Sequence, residues 1–157
     1  MINRILGTDN DPVGLIMRLA LGLVMFPHGA QKALGWFGGH GASATIQSFA
    51  KLGMPLPLTV LVLAAELGGS LLLIVGFLTR VAAFGIGCVM LSAILLVHGH
   101  VGFFMNWAGS QKGEGFEYHL LALGLSIGLM IKGGGALSVD RAITRRGESR
   151  GVALPAA

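Results

Sequence analysis

The stretch LTVLVLAAELGGSLLLIVGFL, residues 58–78, decides the fold class. As a helix rising about 1.5 Å per residue, it is long enough to cross a hydrocarbon core of roughly 30 Å. Its one ionisable residue is Glu66, close to the middle of the run. An ionisable group at that depth is costly and usually faces a protein interior or a cavity, so Glu66 is a candidate functional residue.

The composition of the chain points to the same class of protein. Of its 157 residues, 54% are hydrophobic and only 11% are charged, whereas about 25% are charged in a typical soluble domain. Too few charges are present to cover a water-facing surface, and in lipid the backbone groups must bond internally. We therefore predict an all-α integral membrane protein.

Three further apolar segments accompany the first one. We predict a four-transmembrane-helix bundle with helices at about residues 13–34, 58–78, 81–98 and 116–132, inside a membrane domain of residues 13–140. Residues 1–12 form a polar N-terminal lead and residues 141–157 a basic tail. Between the first two helices, SATIQSFAKLG (43–53) has an apolar and a polar face and predicts a short interfacial helix in the first outer loop.

Charge predicts the orientation of this bundle. Four crossings place both termini on one side, and short loops rich in Lys and Arg face the cytoplasm. Seven basic residues lie on the side of the termini and two in the opposite loops: Arg4, Arg80, Lys132, Arg141, Arg145, Arg146 and Arg150 against Lys51 and Lys112. We therefore predict cytoplasmic N- and C-termini.

This topology gathers polar residues in the outer half of the bundle. His28 and Lys32 are four residues apart on one helix face. Glu66 lies about 12 Å below the outer start of its helix. The other predicted members of the pocket are His98, Glu117 and His119, with Trp107 in the loop between them.

Several roles for these groups stay open at this point. Glu66 either serves a site or simply pairs with Arg18 or Lys32 to hold helices together. Arg18 lies near the inner boundary, where a snorkelling anchor is typical, and Trp107 is compatible with an interfacial aromatic belt. His and carboxylate groups could bind a metal or relay protons, but the pattern assigns no metal site. The single cysteine, Cys88, excludes an intramolecular disulfide.

Four separated pieces of the chain, found in order, resemble the DoxX family of small four-helix bacterial and archaeal membrane proteins, with its DoxD-like members. They are MRLALGLVMFPHGAQKALGWFGGHG, AAELGGSLLLIVGFLTRVAA, LVHGHVGFFMNWAGSQKGEGFEYHLL and GGGALSVDR, between about residues 15 and 141. The resemblance implies the cell inner membrane and a link to subunits of a membrane thiosulfate:quinone oxidoreductase and to thiol-redox complexes. It also implies recurring polar positions, which would be Arg18, His28, Lys32, Glu66, Arg80, His98, Glu117 and His119.

The leading hypothesis is a quinone-linked or thiol/sulfur-redox membrane component, working as a subunit of a membrane oxidoreductase. Glu66 and His28 would handle protons, Lys32 would hold an anion, and the other pocket residues, with Trp107 and Arg18, would bind the substrate. No haem, flavin or iron–sulfur motif is present in the sequence, so electrons would need a partner protein or a bound redox molecule such as quinone.

Two other functions remain as alternatives. One is a non-catalytic membrane anchor or assembly subunit, acting through its glycine-rich faces and basic tail. The other is a small-solute transporter, which is less favoured because four segments without inverted repeats are atypical of transporters. The sequence leaves a homo-oligomer open. Nucleic-acid binding is not expected, because the basic residues lie next to apolar segments and form no polar stripe.

Overall fold

The computed structural model describes residues 5–151, with the side chains of residues 5–145. Within this range all regular structure is helical. The helices are α1 (Pro12–Leu34), α2 (Gly41–Lys51), α3 (Leu56–Val75), α4 (Thr79–His98), α5 (Glu117–Lys132) and α6 (Val139–Gly151). The all-α prediction is confirmed for the described residues.

Helices α1, α3 and α4 are long and apolar enough to cross a membrane, with 23, 20 and 20 residues. Helix α5 has 16 residues, which gives about 24 Å and falls short of a hydrocarbon core of roughly 30 Å. Three candidate crossings are therefore found in the described part of the chain. The fourth crossing and the interfacial position of α2 stay predictions.

The four long helices form a ring. Helix α1 packs on α3 and α5, and α4 packs on the same two neighbours. The core between them is built from buried apolar side chains, among them Leu21, Met25, Leu73, Ile86 and Leu129. The outer surface carries large exposed apolar side chains such as Ile16, Leu61, Leu95 and Leu121, which suits contact with lipid.

Chain direction alternates, so the ring has two distinct ends. We call the end formed by residues 35–55 and 99–116 the loop end, and the end formed by residues 5–11, 76–78 and 133–138 the termini end. At the termini end, Asp11 begins α1: its Oδ1 accepts a hydrogen bond from Val13 N at 2.9 Å, ahead of Pro12 in the first turn.

Arg18 organises the termini end. It is only 2% exposed. Its guanidinium donates hydrogen bonds to backbone carbonyls at the end of α3 and in the segment between α5 and α6. The acceptors are the carbonyl oxygens of Leu73, Ile74, Gly134, Ala136 and Leu137, at 2.5 to 3.3 Å. Arg18 thus binds carbonyls at the C-terminal end of α3 and fixes the segment that follows α5.

Asp140 ties α6 to the same end. Its carboxylate is fully buried, and its two oxygens accept hydrogen bonds from Leu78 N at 2.8 Å and Thr79 N at 2.9 Å, at the start of α4. The sequence predicted only a basic tail from residue 141. The structure has a helix, Val139–Gly151, whose first turn is held by this buried carboxylate.

Replacing Arg18 by Lys should destabilise the protein. A lysine carries three donors on a point charge and cannot reproduce a planar fork that reaches five carbonyls. Because buried carbonyls lose charged donors, we expect the free energy of unfolding to fall by about 3 kcal/mol. Reversible unfolding in mixed micelles, followed by circular dichroism, measures this. Arg141→Lys at a partly exposed site of α6 is the control, and equal stability of the two variants would contradict the role given to Arg18.

Candidate functional site

A buried ion pair joins α1 to α3 in the half of the bundle nearer the loop end. Lys32 Nζ lies 2.5 Å from Glu66 Oε1 and 2.7 Å from Oε2. Glu66 is 1% exposed, whereas the Lys32 side chain is 35% exposed. Of the two partners that the sequence left open for Glu66, the structure selects Lys32, because Arg18 lies at the other end of the bundle.

A close helix approach makes this pair possible. A Cβ on Gly29 of α1 would lie 2.5 Å from the backbone nitrogen of Leu67, so only glycine fits at this contact. The contact is one residue away from Glu66 on α3 and three residues before Lys32 on α1. The two backbones therefore come together where the charges meet.

Two π-helical turns shape the same region. One spans Ala64–Gly68 in α3 and carries Glu66, and the other spans Ile94–His98 in α4 and carries His98. A π turn inserts an extra residue into an α-helix and changes the direction in which its side chains point; such turns are rare and frequent at functional sites. Each of the two helices thus departs from ideal geometry at its candidate residue.

A cleft of about 510 Å³ opens between α3 and α4 near these turns. Its walls are mainly apolar, and the end of α2 and the segment after it close it towards the loop end. The wall residues include Phe49, Leu52, Met54, Leu58, Val62, Val89, Ala93, Leu96 and Val97. Its polar side chains are Lys32, Glu66, Ser92 and His98. An apolar cleft of this size with a few polar groups is typical of a small-molecule site.

The cleft reaches the outer surface of the bundle. Leu58 and Leu96, which line it, are 51% and 65% exposed on the faces of α3 and α4. Those faces are the ones that a bilayer would cover. A ligand could therefore reach the ion pair from the lipid phase.

A second, more polar pocket of about 320 Å³ lies where the end of α1, residues 38–40 and α2 meet. Gln31, His40, Thr45 and Ser48 are among its lining residues, and Lys32 lines both cavities. Thr45 Oγ1 donates to the Lys32 carbonyl oxygen at 2.9 Å and holds α2 against α1. The ion pair thus stands between an apolar cleft and a polar pocket.

The three histidines that were predicted as site residues divide into two groups. His98 Nδ1 lies 2.8 Å from the Glu114 carbonyl oxygen, and its ring packs on His119 with ring centroids 4.2 Å apart. His119 is buried, and its Nδ1 has no hydrogen-bond partner within the described chain. His28 instead lies beside Tyr118, with ring centroids 5.9 Å apart.

The predicted site residues are therefore only partly brought together. Lys32, Glu66 and His98 line the cleft. The lining does not include His28, Trp107, Glu117 or His119. The remaining predicted residue, Arg18, is not brought to this site and binds backbone carbonyls at the termini end.

Glu117 and Trp107 brace the loop above the bundle. Glu117 Oε1 accepts hydrogen bonds from Met105 N at 3.0 Å and from Trp107 Nε1 at 3.1 Å. Trp107 is 87% exposed, which suits the aromatic-belt interpretation better than a place in the cleft. Within the described residues, no group of three or more His, Cys, Asp or Glu side chains is arranged to hold a metal ion.

Sequence reasoning missed Ser92 and the part of the cleft contributed by the end of α2. Ser92 could have been found as a polar residue in an otherwise apolar run, six residues before His98. The contribution of Phe49 and the residues after it depends on how α2 folds back over α3, for which the local sequence carries no signal.

The energetics of the ion pair predict an unusual mutational pattern. Lys32→Met leaves a buried carboxylate without its partner and should lower the free energy of unfolding by about 3–5 kcal/mol. Adding Glu66→Leu removes that unpaired charge, so the double variant should be more stable than the Lys32→Met single variant. Unfolding in mixed micelles measures both, with Lys51→Met at an exposed site of α2 as control. A double variant less stable than Lys32→Met would show that the pair is not the constraint described.

Comparison with known proteins identifies the family. The DoxX family model matches residues 13–99, which run from α1 to the end of α4 and include Lys32, Glu66 and His98. "Inner membrane protein YqjF" of Escherichia coli (strain K12) is 31% identical over 133 residues, covering 84% of this chain and 92% of that protein. "Putative oxidoreductase CatD" of Bacillus subtilis (strain 168) is 29% identical over 126 residues, covering 80% and 83%. No solved structure matches at a significant level. The chain is a membrane protein of the DoxX family.

Proposed function

We propose that this protein is an inner-membrane redox component that binds a quinone in the cleft between α3 and α4. The observation that carries the proposal is the ion pair of Lys32 and Glu66, placed with His98 among apolar walls that reach the lipid-facing surface. A quinone has a flat apolar ring with two polar oxygens, and such a cleft suits both parts. The name of the similar Bacillus subtilis protein supports a redox role.

Lys32 is the proposed contact to a ring oxygen. Its ammonium carries three hydrogens, and the two oxygens of Glu66 account for two of them. The third can be donated to an oxygen in the cleft, whether that oxygen belongs to a carbonyl or a hydroxyl group. Lys32 would thereby position the ring without giving up its buried partner.

Glu66 and His28 are the residues proposed to transfer protons. His28 lies within electrostatic range of both Lys32 and Glu66, and an imidazole can accept a proton and, as imidazolium, release it. A bound quinone would supply the electron chemistry, and a partner protein would supply or remove the electrons. A thiol or sulfur substrate would also need a partner, because Cys88 is the chain's single cysteine.

We further propose that α5 completes a fourth crossing, that both termini are cytoplasmic and that α2 lies at the outer interface. Seven basic residues on the side of the termini against two on the other support this orientation. Exposed Trp36, Phe37 and Trp107 at the loop end support an interfacial position for that end. The cleft then lies in the outer half of the bundle.

Filling the cleft should abolish quinone binding. Val62 lines the cleft, whereas Val60 on the same helix is 51% exposed and does not line it. We expect Val62→Phe to weaken the binding of decylubiquinone and of a short-tailed menaquinone by at least about tenfold, equivalent to about 1.4 kcal/mol. Val60→Phe makes the same change in size and should bind as the unmodified protein does.

Isothermal titration of protein in nanodiscs measures these affinities, and circular dichroism checks that both variants fold. Absence of binding to the unmodified protein would contradict the proposed function. Unchanged quinone affinity in Val62→Phe would show that the quinone binds outside the cleft.

Labelling of introduced cysteines tests the orientation and the fourth crossing. In a Cys88→Ser background, we expect Ala108→Cys in the loop before α5 to react with a membrane-impermeant maleimide on intact spheroplasts. Ala142→Cys in α6, also at an exposed position, should react only after permeabilisation. Labelling of both from the same side would mean that α5 does not cross, and the reverse pattern would mean that the termini face outward.

A further inference from the structure

The hydrogen bond of His98 fixes which of its ring nitrogens carries the proton. Its Nδ1 lies 2.8 Å from the Glu114 carbonyl oxygen, and a carbonyl oxygen can only accept. Nδ1 must therefore donate, so that in the neutral ring Nε2 carries a lone pair and no hydrogen. Since His98 lines the cleft, the ring nitrogen left for a ligand is an acceptor.

The loop that supplies this carbonyl is internally braced. The carboxylate of Glu114 accepts a hydrogen bond from Asn106 N at 2.7 Å. Asn106 in turn forms a reciprocal pair with Gln111, its Nδ2 donating to the Gln111 carbonyl at 3.1 Å and its Oδ1 accepting from Gln111 N at 2.9 Å. The Glu114 carbonyl is thus held in place against His98.

The titratable groups around His98 come from each neighbouring element. His119 of α5 packs on its ring, Glu114 belongs to the loop that binds it, and Lys32 and Glu66 line the same cleft. Lys32 and Glu66 already satisfy each other. His98 is therefore the group in the cleft that can change from a hydrogen-bond acceptor to a donor without breaking the ion pair.

We propose that His98 makes the cleft selective for the reduced, hydroxyl-bearing form of the ring, and that protonation of His98 reverses this preference. The inference rests on the proposed function, because it assumes a ligand of the quinone class in the cleft. A hydroquinone hydroxyl can donate to Nε2, whereas a quinone carbonyl would set two acceptors against each other. Protonated His98 donates from both nitrogens, so it suits the carbonyl.

Lys32 does not contribute to this selectivity. Its free hydrogen can be donated to a carbonyl oxygen or to a hydroxyl oxygen, because both accept. Both oxygens of Glu66 already accept hydrogens from Lys32, so the difference between the two redox forms of the ligand falls on His98. One satisfied hydrogen bond against one unsatisfied buried acceptor corresponds to about a tenfold preference.

The test compares the dissociation constants of decylubiquinol and decylubiquinone under anaerobic conditions, with the protein in nanodiscs, at about pH 8 and at about pH 5. We expect the unmodified protein to bind the quinol about tenfold more tightly at the higher pH and the quinone more tightly at the lower pH. His98→Phe should bind both forms equally at both pH values. If that variant does not fold, His98→Gln, whose amide both donates and accepts, should likewise lose the pH dependence.

His119→Phe is the matched control, because it makes the same substitution at the ring packed on His98 but outside the lining of the cleft. It should keep the reversal. Equal affinity for both forms at both pH values in the unmodified protein, or a reversal that survives in the His98 variants, would overturn this inference and leave the proposed function intact. Failure of either form to bind at all would instead overturn the proposed function.

Discussion

The constraint on which this bundle depends is the carboxylate of Glu66, buried to 1% exposure in an apolar helix. A charge in a low-dielectric interior is tolerated only with a partner at hydrogen-bonding distance. Lys32 supplies that partner from α1, using its long apolar stem to reach a buried carboxylate while part of the side chain stays exposed. The helices must then approach closely, and the contact of Gly29 with Leu67 permits it. The same pair supplies two of the polar side chains that line the cleft between α3 and α4.

The two ends of the bundle satisfy buried charge in different ways. At the termini end, Arg18 is surrounded by carbonyl oxygens of Leu73, Gly134 and neighbouring residues, so its donors are used up by backbone. In the other half, Lys32 and Glu66 both line a cavity, and a donor of Lys32 stays available. A fully satisfied charge stabilises a fold, whereas a charge with spare hydrogen-bonding capacity beside a cavity can bind a ligand. By this criterion Arg18 is structural and Lys32 is the better candidate for function.

The helices and the depth of the polar residues could be predicted from the sequence, but the directions of the side chains could not. Apolar runs were enough to predict α1, α3, α4 and α5, because burial of backbone in lipid leaves few other choices, whereas the polar helix α6 was missed. Helix rise sets the depth of a residue, so His28, Lys32, Glu66 and His98 could be assigned to one half of the bundle. Depth does not determine which way a side chain faces. His28 and Lys32 are four residues apart, yet Lys32 lines the cleft and His28 lies beside Tyr118.

The π turns explain why the directions in which side chains of α3 and α4 point could not be predicted from helix periodicity. Each inserts a residue within the segment that contains Glu66 or His98, so a period of 3.6 residues fails in those two segments. The family match has a related limit. Residues 13–99 include Lys32, Glu66 and His98, but Glu114, whose carbonyl sets the proton on His98, lies outside them. The acceptor at His98 Nε2 therefore could not be obtained from residues 13–99 alone, because it depends on a carbonyl in the loop before α5.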